Sequence, residues 1–158
     1  MRTCLFVLLL ALAATSFSCS NPAPRPTTAV IVVRAPASIA ARVCPRCGDL
    51  VGELEAVADL VIEETAGVGG QVTGINVLLA NGTGPIEGPG VLDVASILSF
   101  GAPTVRISAN GSLRIPEIGV HFAAALRDRL PGTLRFTVNF RDDNGHTVSA
   151  DVVIQVTP

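Results

Sequence analysis

From Ala29 to Pro158 the dominant pattern is apolar and polar residues in strict alternation, the period-two signature of strands with one buried face. The clearest run places Leu134, Phe136, Val138 and Phe140 on one face and Arg135, Thr137 and Asn139 on the other. It ends in Asp142-Asp143-Asn144-Gly145, a turn cluster whose glycine suits positive φ. Alternation then resumes with Val148, Ala150, Val152, Ile154 and Val156 inward, so the two runs predict a β-hairpin.

Upstream, Leu54, Ala56, Ala58, Leu60 and Ile62 alternate with Glu53, Glu55, Asp59 and Glu63. Residues 72–80 are the expected partner of that strand, across the Gly-rich connection 66–70. Ile118, Val120, Phe122, Ala124 and Leu126 form a further run with His121 and Arg127 opposite, although the Ala-rich part of 120–130 also fits a helix. Shorter strands are expected at 29–34, 104–108 and 113–115, and a helical turn at 93–100 with Asp93 as its cap. Residues 81–90 hold four Gly and two Pro and predict a loop.

The N-terminal segment breaks the alternation and has a different meaning. Arg2 precedes an unbroken apolar run from Cys4 to Ala14, and Ser16 and Ser18 put small residues before Cys19. This is the layout of a secretory signal peptide over residues 1–18, too short to span a bilayer as a helix of about 20 residues. Ser18-Cys19 resembles a bacterial lipoprotein processing site, with Ser16 where that family usually has Leu. The resemblance implies that Cys19 becomes the lipidated first residue of the mature chain, and Ser20 after it implies the outer membrane. Pro22, Pro24 and Pro26 then alternate with polar residues, which excludes helix and central strand. Residues 19–28 read as a lipid-anchored spacer, its residues 20–28 extending roughly 25–30 Å at ~3.1 Å per residue.

About seven short strands separated by turns predict an all-β, antiparallel β-sandwich over residues 29–158. The strand order and the closing hairpin, Thr137 to Val148, resemble the small immunoglobulin-like domains of exported bacterial surface proteins. The chain departs from antibody-type domains in having neither a core Trp nor a Tyr for a tyrosine corner, and no Cys pair spaced across two sheets.

Composition narrows the partners. The 158 residues carry a net charge of −2 with 15% charged side chains and six Phe as their only aromatics, which argues against a nucleic-acid partner. At 49% hydrophobic the chain is not disordered. All eleven basic residues are Arg, a bias with no mechanistic reading.

Among chemical motifs, Cys44-Pro45-Arg46-Cys47 stands first. In an exported protein the expected state of this pair is a local disulfide between Cys44 and Cys47. An oxidoreductase would need the first Cys at a helix N-terminus, where the sequence shows a strand pattern instead. A zinc site would need two further ligands, leaving only His121 and His146. Asp142, Asp143 and Asn144 offer oxygens for a weak calcium site, although a solvated turn explains the same residues. Asn81-Gly82-Thr83 and Asn110-Gly111-Ser112 match glycosylation sequons and also mark two Gly turns. Glu63-Glu64 and Asp142-Asp143 are adjacent carboxylates that a strand points to opposite faces. No nucleophile elbow and no zincin motif occurs.

The expectation is therefore a non-enzymatic lipoprotein of the cell envelope, bound to the membrane through its lipid and to another envelope protein through its sandwich. It calls for no cofactor and no small-molecule substrate. The alternative is an envelope thiol–disulfide redox protein using Cys44 and Cys47.

Overall fold

The computed structural model describes residues 26–45 and 53–158. The signal segment, Cys19, most of the spacer and Cys47 lie outside the described residues. The alternating runs become strands of two facing sheets. In chain order these are β1 (Ile31–Arg34), β2 (Ser38–Ala40), β3 (Arg42–Val43), β4 (Leu54–Glu64), β5 (Gly70–Asn81), β6 (Gly84–Leu92), the helix α1 (Val94–Ser99), β7 (Arg106–Ile107), β8 (Ser112–Phe122), β9 (Gly132–Asp142) and β10 (Thr147–Thr157).

In the first sheet β4 is central, with β1 and β3 along one edge and β8 along the other. The second sheet runs β2-β10-β9-β5-β6, with β7 also on β5. All pairings are antiparallel except β2 with β10. The short segment 35–37 thus carries the chain from the first sheet to the second. With β1 and β2 as a split first strand, β4 and β8 take the places of the second and fifth strands. β5, β9 and β10 take those of the third, sixth and seventh. That is the immunoglobulin-like order, with β6 as an added edge strand. The fourth position differs, since β7 pairs with β5 and not with β8.

The core lies between the sheets. Ala56, Leu60, Ile62, Ile115 and Ile118 from the first meet Val72, Ile75, Leu79, Leu134, Phe136, Val138, Phe140, Ile154 and Val156 from the second in one buried cluster. Three Phe side chains, at positions 122, 136 and 140, are fully buried. They supply the bulk that an antibody domain takes from Trp.

The predicted hairpin is β9–β10, with Gly145 at φ 92° in its turn. The cap is also as expected, since Asp93 accepts the Ser96 N–H at 2.8 Å at the start of α1.

Four expectations need correction. Residues 72–80 are not the partner of β4, because the Gly-rich connection crosses between the sheets and β5 pairs with β6, β7 and β9. Residues 81–90 are not a loop, because β6 is an edge strand, where Pro is tolerated. The strand expected to run through Leu126 stops at Phe122, and a 3-10 helix occupies Ala124–Arg129. The candidates at 113–115 and 118–122 are one strand with a bulge. At that bulge Glu117 has φ 45°, and Asp59 opposite accepts the Glu117 N–H at 3.0 Å and pairs with Arg114. These bonds, the Glu117 N–H first, hold the Asp59 carboxyl below its ordinary range.

Candidate functional site

The two ends of the sandwich carry different polar chemistry. At one end, the C-termini of β4 and β9 meet the N-termini of β1, β5 and β10. Two carboxylates are buried there, Glu64 at 1% and Asp142 at 4% exposure. Glu64 accepts backbone N–H groups of Ala66 at 2.8 Å, Gly67 at 2.9 Å and Asn110 at 2.9 Å. It thereby ties the β4–β5 loop to the turn before β8. Asp142 accepts the N–H groups of Ala29 at 3.1 Å, Asn144 at 3.0 Å and His146 at 2.8 Å, with His146 Nδ1 at 3.2 Å.

Burial works to raise both carboxyl pKa values, and these N–H donors outweigh it and hold both below the ordinary range. Asp143 turns away to pair with Arg106 through both oxygens at 3.0 and 2.8 Å. Asn144 donates to the Thr27 carbonyl at 2.8 Å. The calcium candidate Asp142, Asp143 and Asn144 therefore does not converge on one point. Its oxygens fasten the hairpin turn and the incoming chain.

At the opposite end the polar groups belong to side chains. Register places Arg42, Glu55 and His121 side by side across β3, β4 and β8. Arg42 Nε donates to Glu55 Oε1 at 2.5 Å, and Arg42 Nη2 donates to Glu117 Oε1 at 3.1 Å. His121 Nε2 lies 3.6 Å from Glu55 Oε2. The bond from Glu55, then that from Glu117, raises the Arg42 pKa further. With Pro45, Val57, Ser99 and Phe100, these residues line a cleft of about 200 Å³.

Glu55 sits on the outer face of the sheet, as the alternation predicts, yet it is only 6% exposed. Cys44, beside the cleft, donates its N–H to the Glu53 carbonyl at 3.1 Å and is disulfide-bonded. Its expected partner Cys47 lies outside the described residues. Sulfur of Cys44, a carboxylate oxygen of Glu55 and a ring nitrogen of His121 all lie within 4.8 Å of one another.

Of the residues singled out in the sequence, Cys44 and His121 are brought together, while His146 sits on Asp142 at the other end. Arg42, Glu55 and Glu117 were missed as site residues, and Glu64 was singled out only as one of two adjacent carboxylates. The signal for Glu55 and His121 was strand register, which becomes readable only once the β4–β8 pairing is known. Asn110 falls in a turn, and Asn81 is the last residue of β5, just before the turn into β6. Asn81 donates to the Arg129 carbonyl at 2.6 Å, and Asn110 takes φ 55°.

No protein family and no curated protein matches the chain. Among solved structures it is similar to murine CRIg, at 13% identity and a TM-score of 0.38, covering 81% of this chain and 97% of that one. The immunoglobulin-like assignment rests on the strand order.

Proposed function

We propose that the chain is an exported, lipid-anchored immunoglobulin-like module that works by binding a protein of the cell envelope and not by catalysis. The observation that carries this reading is where the spacer enters the fold. Ala29 is fastened to Asp142, and Thr27 to Asn144, at the amide-bonded end. A lipid on Cys19 and a short Pro-rich spacer then hold that end toward the membrane and turn the Arg42–Glu55–His121 cleft outward.

The outward end carries features suited to a protein partner. Val43, next in the chain to the cleft residue Arg42, is 66% exposed on β3. Val94 and Leu98 are exposed one turn apart on α1, the helix that leads into the cleft wall. Fold alone does not assign a ligand, so the step to a partner rests on this orientation and surface.

Detergent phase partition of wild type and Cys19→Ser tests the anchor. Wild type is expected in the detergent phase and the variant in the aqueous phase; equal aqueous partition contradicts the anchor. A photo-crosslinker at position 43 is expected to capture an envelope protein that one at position 145 does not. Capture only from position 145 reverses the orientation.

A second reading has its own observation, the disulfide-bonded Cys44 beside His121 and Glu55. A redox function predicts that the Cys44 disulfide exchanges readily in the folded protein. Resistance to reduction and alkylation while folded, with partner capture intact in Cys44→Ser, eliminates it.

A further inference from the structure

We infer that the cleft end holds a redox-gated metal site, closed while Cys44 is in a disulfide and opened to a borderline-soft divalent cation when Cys44 is reduced. The donor set is Cys44 Sγ, one Glu55 carboxylate oxygen and a ring nitrogen of His121, mutually within 4.8 Å. A tetrahedron with bonds of 2.0–2.3 Å has edges of about 3.3–3.8 Å, so the three donors need to close by only about 1 Å or slightly more. A fourth position, open toward the cleft, is left for water, the arrangement of three-ligand zinc sites.

The neighbours suit that role. Arg42 holds Glu55 Oε1 at 2.5 Å and leaves Oε2 on the side of His121, 3.6 Å away. A hydrogen-bonded ligating carboxylate of this kind is the usual outer-shell support of a metal. Charge supplies the gate. Of the three donors, only Glu55 brings a formal negative charge while Cys44 is in a disulfide. A Cys44 thiolate adds a second negative charge and the soft donor that selects zinc or cobalt over calcium. A disulfide sulfur contributes neither.

The chemistry balances with a dithiol reductant. It gives two electrons and two protons to the disulfide, which becomes two thiols, and is itself oxidised to a disulfide. The Cys44 thiol then passes its proton to solvent as the sulfur–metal bond forms.

Co²⁺ titration of the full chain in detergent tests this, with Cys4→Ser and Cys19→Ser removing the other two thiols. The reduced protein is expected to bind one Co²⁺ with a thiolate-to-cobalt charge-transfer band, and the oxidised protein to show no such band. His121→Ala and Glu55→Gln are each expected to weaken binding at least tenfold. His121 is 57% exposed, so its removal leaves the fold intact. Protection of Cys44 from alkylation by Co²⁺ supplies a second readout, expected in the reduced parent and lost in His121→Ala. The proposal is overturned if the oxidised protein binds equally well, or if both variants bind as tightly as the parent, which would make the metal a ligand of the thiols alone.

Discussion

Glu64 and Glu55 lie near opposite ends of the same strand, both buried, and they are satisfied in opposite ways. Glu64 is held by three backbone N–H groups that cannot leave without unfolding a loop. Glu55 is held by the side chain of Arg42, which is more than half exposed, with His121 3.6 Å away. Asp142 belongs with Glu64, since its donors include three backbone amides. A carboxylate fixed by amides is a fastening. One fixed by an exposed side chain can exchange partners without moving the backbone.

The largest expected effect is on the core that both ends share. Phe136→Ala removes a fully buried ring and should cost about 3–5 kcal/mol in chemical denaturation. Amide exchange should then accelerate at both ends together; loss of protection at one end only would mean two cores. Glu64→Ala should follow at about 3 kcal/mol, because it strands buried donors. The gain in exchange should concentrate at Ala66, Gly67 and Asn110, and a uniform gain would break the contrast drawn between the ends.

Acid should act through the amide-bonded end. Glu64 and Asp142 have folded-state pKa values below their unfolded ones. Their contribution is therefore present above the unfolded pKa, near about 4, and is lost as pH falls through the folded values. A pH series of denaturation midpoints should fall in that window, and Glu64→Gln should flatten the fall. Arg42→Ala should cost about 1–2 kcal/mol, since the Arg42 side chain is 53% exposed but its loss takes the donor from the buried Glu55. Arg106→Ala, which frees an exposed Asp143, should cost less than about 1 kcal/mol in the same assay.

Much of the sandwich was legible in the sequence wherever a strand keeps one phase of alternation. β4, β9 and β10 do so, and their apolar sets are those of the core. Phase changes concealed the rest. In β8 the inward residues pass from Leu113 and Ile115 to Ile118 and Phe122, an odd-to-even shift that one bulged residue at Glu117 produces. In β5 the shift from Val72 to Ile75 has the same cause beside Gly74. β6 was hidden by its glycines and prolines, which an edge strand accepts and a central one does not. The cleft was the least legible feature. Arg42, Glu55 and His121 are neighbours only through pairings between strands far apart in sequence, and alternation assigns a face without assigning a neighbour.

The contrast between the two ends is tested most directly by comparing denaturation midpoints of Glu64→Gln and Glu55→Gln at neutral pH. Each removes a charge from a buried carboxylate on β4. Glu64→Gln should lose about 1–3 kcal/mol, because an amide nitrogen faces backbone donors. Glu55→Gln should lose less than about 1 kcal/mol, because its Oε atom still accepts from the half-exposed Arg42. An equal or larger loss for Glu55→Gln would contradict that contrast and make the cleft a fastening like the other end.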